Sequence, residues 1–258
     1  MKRKRRGRRA WRALRAAPPG IRALIAALAL ITLALAVNWV YQVARKPAEL
    51  FFPVSGVLSK TPAETWRQYE PIFREHATAV MTPDLLAALA QVEAAGNPVA
   101  RTYWRWRLTT EPFDVYRPAS SAVGMYQTTD GTYREAKRYC VHDHVVAEVG
   151  PWYQFDSCWF NSLYLRVVPS HAVEMTSAYL DHRVAGVLKR ASVHAATLQQ
   201  KQDLAAVIHL CGAAAGDSYA RRKFLLSSGQ HCGDQDPNLY LARVNAMKRL
   251  FARLANSR

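Results

Sequence analysis

No acidic residue occurs in the first 22 positions, and no charged residue occurs between positions 23 and 43. The first absence rules out an ordinary mixed-charge surface for the head. The second rules out a solvated helix for the stretch that follows. No cysteine precedes position 140. No internal repeat is present, which excludes a solenoid. The run Cys140-Val141-His142-Asp143-His144 fits no usual zinc spacing, so neither a metal nor a cofactor is expected. Half the residues are hydrophobic, which excludes a disordered chain.

What is present at the N-terminus is positive charge. The formal charge of +16 is concentrated there: positions 1–22 hold ten Lys and Arg, and without them 25 basic residues face 19 acidic ones. A basic head by itself suits nucleic acid or an anionic membrane surface. The uncharged stretch that follows favours the membrane, so no nucleic-acid partner is expected. Twenty-one residues at 1.5 Å rise span roughly 31 Å, the thickness of a hydrocarbon core. Trp39 and Tyr41 near its end suit the water–lipid interface. Positive charge before the span keeps the N-terminus cytoplasmic and exports the rest. A cleavable signal peptide ending at Ala34-Leu35-Ala36 is the rival reading, but the apolar run exceeds a usual signal core of about 7–15 residues. The four cysteines, Cys140, Cys158, Cys211 and Cys232, all follow the span, as disulfides on the exported side require. Four cysteines allow three pairings; the two local ones, Cys140–Cys158 and Cys211–Cys232, are preferred.

Residues 83–95 read as one helix, with Thr82 as N-cap, Pro83 at the first position, and Gly96 and Pro98 marking the stop. At about 100° per residue Glu93 falls inside the apolar stripe, between Leu89 and Leu86. Burial and the negative end of the helix dipole both disfavour a carboxylate, so a raised pKa is expected. A carboxyl kept protonated near neutral pH is what a general acid needs. Glu93 is therefore the candidate catalytic residue; the plain alternative is a Glu at the stripe's edge that reaches water.

Elsewhere, residues 44–80 read as a linker with a lead-in helix over 65–79. The segment 99–120 is aromatic and β-prone: Trp104, Trp106, Phe113 and Tyr116 read either as a small sheet on the core or as the wall of a sugar cleft. In the second reading Trp104 stacks on a sugar face and Arg105 and Arg107 meet carboxylates. A helix over 129–139 precedes a loop-rich stretch at 140–170. Helices follow over 170–183, 184–194, 199–211 and 239–254.

Two motifs combine into a resemblance. Glu93-Ala94-Ala95-Gly96-Asn97-Pro98 ends a helix, and Gly124-Met125-Tyr126-Gln127 follows, preceded by Ser121-Ala122-Val123. Together, behind an export signal, they resemble the soluble-lytic-transglycosylase (SLT) domain of the lysozyme-like superfamily over roughly 75–225. The resemblance implies a mainly α (α+β, lysozyme-like) fold: a helical domain over 81–258 with a small β and aromatic insertion, preceded by one transmembrane helix. It implies peptidoglycan glycan strands as substrate and Glu93 as a single acid/base. Glu93 would protonate the glycosidic oxygen between N-acetylmuramic acid and N-acetylglucosamine, then take the proton of the muramoyl 6-hydroxyl as a 1,6-anhydro ring closes. Gln127 would line the cleft, Met125 and Tyr126 would form its wall, and Gly124 would permit close backbone approach. The family Ser after the Glu is Ala94 here, and Tyr-Asn-Ala-Gly has no clean match. His209 or Tyr219 takes the place of the family Tyr, or nothing does; a core histidine is the plain alternative for His209.

The expected protein is a single-pass enzyme of the bacterial inner membrane with a periplasmic catalytic domain. The alternatives are a hydrolase with Asp114 or Asp130 as second carboxylate, and an inactive cell-wall-binding protein with a partner in an envelope assembly.

Overall fold

The computed structural model describes residues 16–51, 55–154, 157–227 and 229–257. Most of the basic head, positions 1–15, lies outside these residues. The described residues are mainly helical, with two small two-stranded sheets among them, and the chain divides into two compact units.

The smaller unit joins residues up to 49 with 104–119. Its helix α1, Pro19–Arg45, extends beyond the expected span at both ends. It is long and apolar enough to cross a membrane, and none of its most apolar window is covered by protein. Strands β1 (Trp104–Trp106) and β2 (Tyr116–Pro118) form an antiparallel hairpin in which Arg105 faces Arg117. The segment expected to insert into the catalytic domain thus belongs with the apolar helix.

The larger unit holds the core. Helix α2, Pro62–Glu75, starts three residues before the expected lead-in helix because Thr61 and Glu64 form a complete capping box. Its Trp66, Tyr69 and Phe73 are buried. Helix α3, Pro83–Ala94, runs through the centre: Leu85 to Ala90 are all buried, so it is covered on every side instead of along one stripe. Thr82 occupies the N-cap position, but its hydroxyl accepts from Gln202 Nε2 at 3.0 Å and does not cap the helix. At the other end Ala95 and Gly96 turn left-handed, at φ 48° and 64°, and the Gly96 N–H donates to Ala90 O at 3.0 Å. A β-carbon on Gly96 would lie 2.3 Å from Thr65 Oγ1, so the stop and the packing of α2 need the same glycine.

Helix α4 (Asp130–Ala136) leads into strands β3 (Tyr139–His142) and β4 (Val145–Glu148), a hairpin in the stretch expected to be loop. Its two-residue turn, Asp143-His144, has positive φ at both positions. That geometry usually draws Asn-Gly or Asp-Gly, so the turn carried no sequence signal. Helices α5 (Pro169–Arg190), α6 (Leu198–Cys211), α7 (Ala213–Arg221) and α8 (Pro237–Asn256) complete the unit. The two helices expected at 170–194 are one. Helix α7 hid in a Gly/Ala-rich stretch; Gly216 packs where a β-carbon would lie 2.5 Å from Ile208 Cγ1. Both local disulfides form, with Cα–Cα distances of 5.5 Å for Cys140–Cys158 and 5.2 Å for Cys211–Cys232.

Candidate active site

Glu93 lies in the last turn of α3, where two other helices converge on it. From α8, Tyr240 donates its hydroxyl to Glu93 Oε1 at 2.5 Å. From α6, His209 Nε2 stands 3.5 Å from the same oxygen. The side chains of Glu93 and His209 are each only about a tenth exposed, at 12% and 11%. The second oxygen, Oε2, has no protein hydrogen bond among the described residues. The Cys211–Cys232 bridge begins two residues after His209 and ends eight before Tyr240, tying together the segments that carry both partners.

The electrostatics reverse the expectation for this carboxyl. Burial pushes the Glu93 pKa up, as the sequence suggested. The His209 imidazole, the Tyr240 hydroxyl and the charge of Arg243 more than offset it, leaving Glu93 below the usual carboxylate range. Burial, with the Glu93 charge beside it, pushes the Tyr240 phenol well up, so it stays a donor. A carboxyl whose folded pKa lies below its unfolded value adds stability above the unfolded value and loses it as pH falls through the folded one. Glu93 should therefore stabilise the fold at neutral pH, and that contribution should start to fall near the ordinary carboxyl value of 4.5 and vanish below its own lower one. His209→Gln removes the largest lowering influence. We expect the Glu93 carboxyl to titrate at higher pH in that variant, read by carbon-13 NMR of labelled glutamate. An unmoved titration would show that His209 does not hold Glu93 ionised.

Glu93 and Gln127 line one cleft of about 470 Å³, together with Ser55, Asn97 and Arg101 among others. Gln127 is held at φ 46°, an uncommon conformation for a side-chain-bearing residue. Its carboxamide nitrogen donates to Gly124 O at 2.9 Å and Ala100 O at 3.3 Å, which fixes the side chain and leaves the amide oxygen as an acceptor. Asn97, buried beneath, donates to Ser55 O and accepts from the Val99 N–H at 3.0 Å, shaping the cleft floor. Among the described residues no other carboxylate lines this cleft. Asp130 pairs with Arg166 at 2.7 Å, and Asp114 pairs with Arg117 at 2.9 Å in the smaller unit. Asp234 and Asp236 border a separate hollow with Arg243, and Asp236 is occupied in capping α8.

Other expected site residues lie elsewhere. Met125 and Tyr126 are core residues, fully buried instead of forming a wall, because the Tyr126 hydroxyl reaches inward to Leu86 O at 3.2 Å. Gly124 does allow close backbone approach, but of protein: a β-carbon there would lie 2.4 Å from Arg166 O. Tyr219 packs in the core edge-on to Phe224, and burial pushes its phenol to about 12. Trp104 is not in the cleft lining; its indole N–H donates to Glu49 Oε2 at 2.9 Å within the smaller unit. Arg105 and Arg107 are exposed there, and Arg101 is the arginine of this segment that lines the cleft. Tyr240 was missed. The signal existed: it sits four residues before Val244 and eleven before Phe251, on the apolar stripe of α8, as a ring with a hydroxyl to satisfy. No protein-family model, no curated protein and no solved structure matches this chain.

Proposed function

We propose that this protein is a membrane-anchored lytic transglycosylase of lysozyme-like character, acting on peptidoglycan strands outside the inner membrane. The observation that carries the reading is a buried carboxylate, Glu93, opening into one cleft with Gln127 and, among the described residues, with no second carboxylate on its walls. Hydrolysis by paired carboxylates needs a partner about 5–5.5 Å or 6.5–9.5 Å away. Intramolecular attack by a sugar hydroxyl needs only one group that gives a proton and takes one back.

In this reading Glu93 is ionised in the open cleft, with His209 Nε2 3.5 Å from its Oε1. Entry of a glycan expels water from the cleft. Desolvation disfavours the carboxylate, and Oε2, the oxygen Tyr240 leaves open, takes up a proton from the solvent as the cleft fills. Glu93 then protonates the bridging oxygen through Oε2 as the glycosidic bond breaks. The 6-hydroxyl oxygen bonds to the anomeric carbon, and its proton returns to the carboxylate, so no water is consumed. Tyr240 holds Oε1 and leaves Oε2 to act. Gln127 accepts from a sugar hydroxyl or amide, and Arg101 lines the same cleft.

A glycan-binding role in an envelope assembly takes support from the low Glu93 pKa, since the acid is not preformed. Full-length protein in detergent, mixed with a peptidoglycan suspension, separates the two. We expect the suspension to clear. Sedimentation of the protein with uncleared peptidoglycan would favour binding alone.

A further inference from the structure

Asn38, Tyr41, Gln42 and Arg45 recur at three and four and share one face of the last turns of α1. Asn38 and Gln42 are the buried residues of this helix, whereas Leu30, Leu33 and Val40 stand well exposed. The 104–119 segment covers the polar pair. Asn38 Nδ2 donates to Tyr116 O at 2.7 Å, and Gln42 Nε2 donates to Phe113 O at 2.6 Å. The Tyr41 ring stacks on Phe113 at 4.4 Å, and Arg45 lies 3.7 Å from Asp114. An aromatic hairpin is thereby fixed to the helix where its apolar run ends.

Part of the hairpin's surface is left exposed by the described residues. Trp106, stacked on Tyr116 at 4.5 Å, is 69% exposed, and Leu108 is fully exposed. Arg105 and Arg107 alternate with them and are exposed too. Exposed Trp and Leu interleaved with Arg are unfavourable in water and suited to the headgroup region, where rings meet the acyl boundary and guanidinium groups meet phosphates. We propose that the β1–β2 hairpin is a membrane foot. It lies in the outer interface of the bilayer that α1 crosses, with Trp106 and Leu108 turned to the acyl boundary and Arg105 and Arg107 to lipid phosphates. The inference rests on α1 being a transmembrane span. It also explains Asn38 and Gln42: amide N–H groups at the edge of the hydrocarbon are costly unless paired, and the hairpin's carbonyls pair them.

The test is site-directed spin labelling of the full-length protein in phosphatidylcholine–phosphatidylglycerol vesicles, through Leu33→Cys, Leu108→Cys and, as an aqueous reference, Val145→Cys. Collision rates with oxygen and with a water-soluble nickel chelate are compared. We expect Leu33 and Leu108 labels each to favour oxygen several-fold more than the Val145 label does. A lipid-like Leu33 with a Leu108 label as chelate-accessible as Val145 would overturn the foot and leave the span standing. A chelate-accessible Leu33 would overturn the span, and the foot with it.

Discussion

Glu93→Gln should lower turnover of peptidoglycan by roughly 10²–10⁴-fold, the usual contribution of a general acid–base group. The amide has nearly the shape of the carboxyl and still accepts from Tyr240, so the cleft keeps its form. It neither gives a proton to the bridging oxygen nor takes one from the 6-hydroxyl. The variant should also be less stable at pH 7, by about 1–2 kcal/mol, because the ionised form is the one that His209 and Tyr240 favour. Burial alone would have predicted no loss, or a gain, from neutralising this side chain. Thermal unfolding at neutral pH distinguishes the two, and an unchanged or raised melting temperature would contradict a carboxyl held ionised by its surroundings. Wild-type turnover in the variant would remove Glu93 from the chemistry altogether.

Breaking the disulfides should have the largest effect on stability. The bridged cysteines are 18 and 21 residues apart, and closing loops of this size in the unfolded chain contributes about 3 kcal/mol each. For a folded unit of this size that corresponds to roughly 6–12 °C in melting temperature per bridge. The two losses should differ in kind. Cys140–Cys158 joins β3 to the short helical turn at Trp159–Leu163, away from Glu93. Cys211–Cys232 joins the end of α6 to the approach of α8, the two elements that place His209 and Tyr240. Replacing the second pair by alanine should therefore move the Glu93 titration as well as the melting temperature; replacing the first should move only the melting temperature. Equal melting temperatures for oxidised and fully reduced protein would contradict both assignments.

The contrast between Glu93 and its partners shows what local sequence carries. Helix α3 was legible because its start, its stop and its apolar positions are written within seventeen residues. Glu93 stood out on the same grounds. Its ionisation was not legible, because the groups that set it come from distant parts of the chain; Tyr240 is 147 residues away. Motif position also misled where direction matters. Met125 and Tyr126 adjoin Gln127, yet the left-handed turn at Gln127 sends the neighbours inward and leaves Gln127 at the cleft. Composition alone left Trp104 either in a small sheet on the core or on the wall of a sugar cleft. What places it is its pairing with β2 and its indole N–H bond to Glu49, on a hairpin that the amides Asn38 and Gln42 hold to the apolar helix. The cysteine pairing was legible because both bridges are local.

The most direct measurement is the mass spectrum of muropeptides released from purified peptidoglycan by the full-length protein in detergent, beside the Glu93→Gln variant. Products ending in 1,6-anhydromuramic acid, absent with the variant, are the result expected of a single carboxylate that gives and takes one proton. Reducing ends formed with the addition of water would contradict that chemistry and point to a second carboxylate outside the cleft described here.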